Sequence, residues 1–407
     1  MKDNKIFEIK PEVFWIGVLD HDIVTFDIVM ETKFGTTYNS YFINAKKKVL
    51  IETVKKEFWE TYLSKIKSIT DPTKIDYIVC NHTEPDHSGC IKQMLELSPG
   101  LTVIGSGQAL NYLHEMIGIP FKTLKVKDGD VIDLGDKKLR VIGAPNLHWP
   151  DSIYTYLEED KVLFTCDSFG AHFCQEEIFD DNAENYDEAF NYYFDVILKP
   201  FSKFMLKAIE KIRPLSIDVI CPGHGLILRS DWKKYVDISR QRASEYIELL
   251  NHKNKRILLA YVSAYGYTAE MARKIAEGIA YAGDFEIDIV DIENILLGDL
   301  EEKIVMSNAI IIGSPTINQN TLLPIYKLFS LINPIRDKGK PAAVFGSFGW
   351  SGEAVKLIED HLKNLKLSIF TEGISEKFYP NNGKGERLTE FGKAFGEKIL
   401  NTNPEIE

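Results

Sequence analysis

Seven side chains with oxygen or nitrogen donors recur where apolar, strand-like runs end: His82, Glu84, Asp86, His87, His148, Asp167 and His224. Four of them crowd into Asn81-His82-Thr83-Glu84-Pro85-Asp86-His87, directly after the run Ile75 to Cys80 and before a Ser-Gly turn and a helical pattern from Cys90. That context predicts a loop at the C-terminal end of a strand, where α/β folds build their sites. His148 follows the run Leu139 to Gly143, Asp167 ends Lys161 to Cys166, and His224 follows Val219-Ile220-Cys221-Pro222-Gly223. A lone histidine on an apolar face is usually a hydrogen-bonded core residue. Donors this dense are too polar to bury unless a cation compensates them. Mixed imidazole and carboxylate ligands favour iron-type chemistry over structural zinc, so the pattern reads as a two-metal site.

A second set of candidates lies downstream. Ser263-Ala264-Tyr265-Gly266-Tyr267-Thr268 follows the strand pattern Arg256 to Val262 and opens a helical one. Hydroxyls and backbone N–H groups at a helix N-terminus hold a phosphate without needing a cation. The sequence is not a Walker A loop, which requires G-x-x-x-x-G-K-[ST]. Two further loops follow parallel-strand patterns: Ser314-Pro315-Thr316-Ile317-Asn318 after Ala309 to Gly313, and Ser347-Phe348-Gly349-Trp350-Ser351-Gly352 after Ala342 to Gly346. Three loops at one edge of a sheet can hold one flat ligand.

The elements that must position these residues divide the chain. Short strand patterns (Val13 to Leu19, Val24 to Met30, Tyr38 to Asn44, Lys48 to Glu52) are followed by alternating helix and strand patterns. Amphipathic stretches cover Lys199 to Ile212 and Asp231 to Leu250. Strand-rich layers with helices outside predict an αβ/βα sandwich. After the polar stretch Asn251-His252-Lys253-Asn254-Lys255 the alternation becomes regular, which predicts a doubly wound parallel sheet. The expected domains are therefore 1–252 and 253–407, an α+β sandwich joined to an α/β sheet.

The chain of 407 residues is long enough for two or three domains, and its 44% hydrophobic content suits packed cores. A net charge of −12 without a Lys/Arg stripe argues against a nucleic-acid partner. No apolar run is long enough to span a bilayer, and the N-terminus has no signal-peptide pattern. Five cysteines, an odd number with no C-x-x-C pair, fit reduced thiols in a cytoplasm.

The His82 loop resembles that of the metallo-β-lactamase fold, whose usual pattern is H-x-H-x-D-H. Here Glu84 replaces the second histidine, giving H-x-E-x-D-H. With a flavodoxin-like second half, nearly the whole chain resembles the flavodiiron proteins, also called A-type flavoproteins. The resemblance implies a first non-haem iron on His82, Glu84 and His148, a second on Asp86, His87 and His224, and Asp167 bridging them. It implies FMN, with its phosphate on the first flavodoxin loop and its ring between the other two. The activity implied is reduction of O2 to water, of NO to N2O, or of both. Electrons would come through FMN from a soluble donor, a rubredoxin-like protein or a reduced deazaflavin, within a head-to-tail homodimer or a dimer of dimers. Trp350 is expected at the dimer junction.

Tyr193 resembles the family's tyrosine near the metals, an implied proton donor, although a packed core aromatic is the more usual role of such a tyrosine. His172 is expected either in packing or beside the metal ligands. Some members carry a further histidine where this chain reads Phe26-Asp27. With no C-terminal C-x-x-C pair and an end at Glu407, neither a fused rubredoxin nor a flavin-reductase module is expected. The alternative is a binuclear zinc hydrolase of the lactamase fold with a regulatory flavodoxin domain; Glu84 argues against it.

Overall fold

The computed structural model describes residues 5–26, 30–251, 255–378 and 383–401. The chain separates into two compact units, Met1–Ile247 and Glu248–Glu407. The expected junction at residues 252 and 253 lies outside the described residues, just after the helix Trp232–Asn251.

The first unit is built on two sheets. One holds, in spatial order, Phe7–Lys10, Val13–Trp15, Tyr41–Asn44, Lys48–Ile51, Tyr77–Val79, Thr102–Ser106 and Lys122–Val126. The other holds Val131–Asp133, Lys138–Gly143, Ile153–Leu157, Val162–Cys166 and Val219–Pro222. Alternation along each strand sorts its side chains between two cores. Val49, Ile51, Val79 and Ile104 of the first sheet meet Val141, Ile153, Phe164 and Val219 of the second in one buried cluster. Leu50, Ile78 and Val103 point the other way, among residues of the helices Trp59–Ile69, Ile91–Leu97 and Gly107–Ile117. Leu163 and Ile220 lie in the same cluster as Met205 and Ile209 of the helix Ser202–Ile212. The result is helix, sheet, sheet, helix. Local signals agree: Ser106 caps Gly107–Ile117 by accepting from the Ala109 N–H, and Gly118 ends it at φ 68°.

The second unit is a parallel sheet in the order Glu286–Asp291, Arg256–Tyr261, Ala309–Gly313, Pro341–Phe348, Ser368–Ile369, with Ile374–Lys377 continuing against Pro341–Phe348. This is the flavodoxin-like strand order. Leu297–Met306, Leu323–Leu331 and Glu353–Asn364 pack on one face, and Tyr267–Ala282 and Lys384–Asn401 on the other. The last two helices touch backbone to backbone. A Cβ on Gly278 would lie 1.9 Å from the Thr389 carbonyl oxygen, and one on Gly392 would lie 2.0 Å from that of Ile275.

Three expectations need correction. The run Val13 to Leu19 is two strands, Val13–Trp15 and Val18–Asp20, because Gly17 sits so close to Tyr38 that a Cβ would fall 2.3 Å from its carbonyl oxygen. The run Val24 to Met30 is a small antiparallel pair, Thr25–Phe26 with Met30–Glu31. The helix expected from Lys199 begins at Ser202, after a single 3-10 turn at Lys199–Phe201 that contains Pro200.

Candidate metal centre and flavin loops

The four donors of the His82 segment do not share an open loop. Pro85 opens a helical turn, Pro85–Ser88, which carries Asp86 and His87. Proline suits that first position because its missing N–H would be unpaired there anyway. The segment is held from several sides. Glu52 accepts from the Asn81 N–H at 2.6 Å, and the Asn81 carbonyl accepts from the Ile153 N–H at 2.9 Å. Asp151 accepts from both the N–H and the hydroxyl of Thr83 at 2.8 Å. Thr53 donates its N–H and its hydroxyl to the His87 carbonyl at 2.7 Å. Cys166 has φ 48°, a left-handed turn for a non-glycine residue, where the chain leaves its strand for Asp167.

The seven expected donors meet at one end of this framework. Glu84 Oε2 lies 3.1 Å from His82 Nε2 and 3.0 Å from His148 Nε2. Asp86 Oδ2 lies 3.0 Å from His224 Nε2 and 3.5 Å from His87 Nε2. Asp167 stands between the two sets. Its Oδ1 is 3.0 Å from His87 Nε2 and 3.6 Å from His224 Nε2, while its Oδ2 is 3.6 Å from both His82 Nε2 and His148 Nε2. One ligand atom each from His82, Glu84, His148 and Asp167 falls within 4.8 Å of the others, as does one each from Asp86, His87 and His224.

The orientation is informative too. Among the described residues, both oxygens of Asp86, both of Asp167, and His87 Nε2 are buried without an aligned hydrogen bond, despite neighbours near 3 Å. These atoms aim at shared points rather than at one another, which is how ligands surround an ion. The donor set fits two metal ions with open coordination positions.

The electrostatics of the side chains themselves say the same. Burial would raise the Asp167 carboxyl, yet His87 and His82 hold it well below the usual carboxylate range. Burial would likewise raise Glu84, but His148 and His82 hold it low. Burial disfavours charge on His87, but Asp86 and Asp167 push its pKa up to about 10. His82 is raised despite burial, by Asp151 and Glu84. Protons on these imidazoles therefore do the neutralising that a metal does when bound. A metal needs the unprotonated ring, so it must displace a proton that His87 otherwise keeps up to about pH 10. Ferrous-ion affinity is accordingly expected to rise with pH between 6 and 9, by about tenfold per pH unit for each proton displaced. Anaerobic chelator competition across that range checks this; a flat profile would contradict it.

Glu52 and Cys166 also approach His87. Burial pushes the Glu52 carboxyl up to about 8, although His87 and His82 pull it down, and burial raises the Cys166 thiol well above its ordinary range. Burial thus works against charge on both, which makes that corner a poor place for a cation. Glu52, Asp151 and Thr37 were not expected from the sequence as contributors. Asp151 left a faint signal, a carboxylate three residues after His148 in His148-Trp149-Pro150-Asp151.

Tyr193 ends the helix Tyr186–Tyr193, which runs on into a π-helical turn at Phe194–Leu198. It is buried, with its ring centroid 4.9 Å from that of His172 and 6.3 Å from that of His224. His172 is buried between Phe26 at 4.4 Å, Tyr193 and His224 at 5.1 Å, bonds Thr36 Oγ1 through Nδ1, and has no hydrogen-bond partner for Nε2 among the described residues. Asp27 lies outside the described residues.

The flavin loops sit at the C-terminal ends of Arg256–Tyr261, Ala309–Gly313 and Pro341–Phe348. Gly266 adopts φ 83° ahead of the helix Tyr267–Ala282 and contributes no side-chain cap, and the space where its Cβ would stand is open. Ser263 Oγ accepts from the Ala269 N–H, and Thr268 Oγ1 meets Ser347 Oγ at 2.9 Å, tying the first loop to the third. The Thr316 N–H donates to the Ser347 carbonyl at 2.8 Å, tying the second loop to the third. Pro315 is buried, Ile317 bridges to Asn320, and Asn318 has φ 54° in the turn between. Ala264 and Gly352 are exposed, Phe348 and Gly349 half-buried, and Tyr265 and Trp350 are 80% and 81% exposed. Large exposed apolar rings beside a helix N-terminus fit a flat, phosphate-bearing ligand such as FMN. Phe378, near Gly349 and Tyr267, joins this edge without any signal in the sequence.

A lactamase-type sandwich with two carboxylate–imidazole pockets, in one chain with a flavodoxin-type sheet, defines a two-domain metalloflavoprotein. Residues 36–225 match the family described as ODP family beta lactamase, and residues 259–391 match the flavodoxin family. The chain is 40% identical to the flavo-diiron protein FprA2 of Clostridium acetobutylicum over 96% of its own length and 99% of that protein's. It is 33% identical to a nitric oxide reductase of Moorella thermoacetica, covering 95% and 97% of the two chains. Among solved structures it resembles the rubredoxin oxygen:oxidoreductase of Desulfovibrio gigas, at 27% identity, a TM-score of 0.68, and 97% and 100% coverage. The chain belongs to the flavodiiron protein family, a family of oxidoreductases. Membership implies FMN and a non-haem diiron site as its cofactors. No helix among the described residues is long and apolar enough to cross a membrane.

Proposed function

We propose that this protein reduces diatomic gases, O2 to water and NO to N2O, with electrons delivered by a rubredoxin-type donor. The observation that carries the reading is the placement of Asp167, each oxygen facing the imidazoles of a different pocket. His82, Glu84 and His148 would hold one iron and Asp86, His87 and His224 the other, with Asp167 facing both sets. When bound, the irons and the flavin supply the redox chemistry, and the protein's part is to orient them and exclude leakage. Glu84 and Asp86 give each pocket a terminal carboxylate, so the charge of two ferrous ions is largely balanced without thiolates. Tyr193, whose hydroxyl is kept protonated by burial and by the nearby Asp167, would hold a proton beside His224 that the reaction could use. Ser263, Gly266 and Thr268 take the FMN phosphate, while the Thr316 and Trp350 loops flank the ring. The relatives support both gases, since one is named a nitric oxide reductase and another a rubredoxin oxygen:oxidoreductase.

In a head-to-tail homodimer, which the family resemblance implies, the flavodoxin-like domain of one subunit would face the metal-binding domain of the other. The test is single turnover of the anaerobically reduced, iron-loaded protein with each gas in turn, repeated through a dilution series. Reoxidation by O2, and N2O formation from NO, are expected only with iron present, with activity per chain falling as the dimer dissociates. Two zinc ions and no iron in protein purified from iron-replete cells would sink the proposal.

A further inference from the structure

Behind the first metal pocket lies a residue that no ligand assignment uses. Asp151 is fully buried, and its Oδ2 accepts from the N–H and hydroxyl of Thr83 at 2.8 Å. Its oxygens also face His82 Nδ1, at 3.3 Å for Oδ1 and 3.4 Å for Oδ2. A carboxylate only accepts, so the proton of a neutral His82 ring must sit on Nδ1. That leaves Nε2 bare toward Glu84 and Asp167. In the second pocket His224 is set differently: its Nδ1 donates to the backbone carbonyl of Thr37 at 2.6 Å. One ring is backed by a buried charge, the other by a neutral dipole. A carboxylate behind a metal-bound imidazole fixes its tautomer and raises its basicity.

We propose that Asp151 is the positioning residue for His82, and that it makes the two iron positions inequivalent, with only the His82–Glu84–His148 position depending on it. This rests on the diiron reading above. The geometry also says what its replacement does. In Asp151→Asn the two Thr83 donors require the amide oxygen at the Oδ2 position, so the amide nitrogen takes the place of Oδ1. The oxygen kept at the Oδ2 position still faces His82 Nδ1 at 3.4 Å, so the ring keeps its tautomer but loses the buried charge behind it, and with it the added basicity of Nε2. Thr37 O belongs to the backbone, so His224 keeps its tautomer. Thr83→Val keeps the carboxylate but removes one of the donors that hold it.

The experiment uses FMN-loaded, iron-free, full-length protein titrated anaerobically with ferrous iron against a chelator, with Mössbauer spectra of each loaded state. Wild type is expected to take two irons per chain. Asp151→Asn should keep one at wild-type affinity and bind the other about 10–100-fold more weakly, with one iron spectrum lost. Thr83→Val should weaken the same position by less. Thermal unfolding of the iron-free forms shows whether the fold is kept, and Thr83→Val carries the test if Asp151→Asn does not fold. Unchanged affinities in the folded variants, or equal weakening of both positions, would overturn the proposal. A wild type that never takes two irons would sink the diiron reading itself, before any variant is made.

Discussion

Asp167→Ala is expected to empty both metal positions at once and to lower gas reduction at least about a thousandfold. Contacts one shell outside the ligands are typically worth 10–100-fold each, and Asp167 is a shared inner ligand in the proposed site. Among the described residues, its oxygens are also the only carboxylate atoms placed toward all four imidazole Nε2 atoms, two on each side. No other residue can substitute, because Glu84 faces one pair of rings and Asp86 the other. Asp167→Asn separates shape from charge. It should hold the metals better than alanine, yet still weakly, because a neutral amide leaves the buried imidazoles and metal ions uncompensated. Metal analysis beside anaerobic single-turnover kinetics reads both effects. Two tightly held irons in Asp167→Ala would show that the centre is built elsewhere.

Replacing Glu84 by histidine restores the H-x-H-x-D-H pattern and is expected to shift the first pocket from iron toward zinc. Glu84 is mostly buried, with its Oε2 near 3 Å from two imidazoles, so its charge is poorly screened and strongly felt. A third imidazole removes that charge and leaves a nitrogen-rich set that suits zinc. In protein made with equal iron and zinc supplied, the Glu84→His form should carry zinc in one position. Turnover with O2 or NO should fall about a hundredfold or more, because a redox-inert ion then occupies half the centre. Equal iron content and undiminished turnover would show that the carboxylate does not select the metal.

Much of this was legible before any coordinates. Donors after strand patterns, three small-residue loops after parallel strand patterns and the change of periodicity near residue 253 are local features, set by the identity and spacing of neighbours. The sandwich and the parallel sheet followed from them because alternation and amphipathic spacing dictate which faces must be covered. Errors fell where local pattern is overridden. Gly17 breaks a strand because of a carbonyl twenty-one residues away, and the turn Pro85–Ser88 is helical although its donors read as loop.

What the sequence determined by itself was the set of ligand types and the two kinds of domain, because residue chemistry and periodicity are carried by the chain directly. Which oxygen of Asp167 faces which imidazoles, that Asp151 stands behind His82 and a backbone carbonyl behind His224, and that Phe378 closes on the flavin loops were decided only by tertiary structure. These are meetings between segments up to 187 residues apart, and their ångström-scale distances depend on how two sheets pack. Spacing along the chain does not encode a distance across a core.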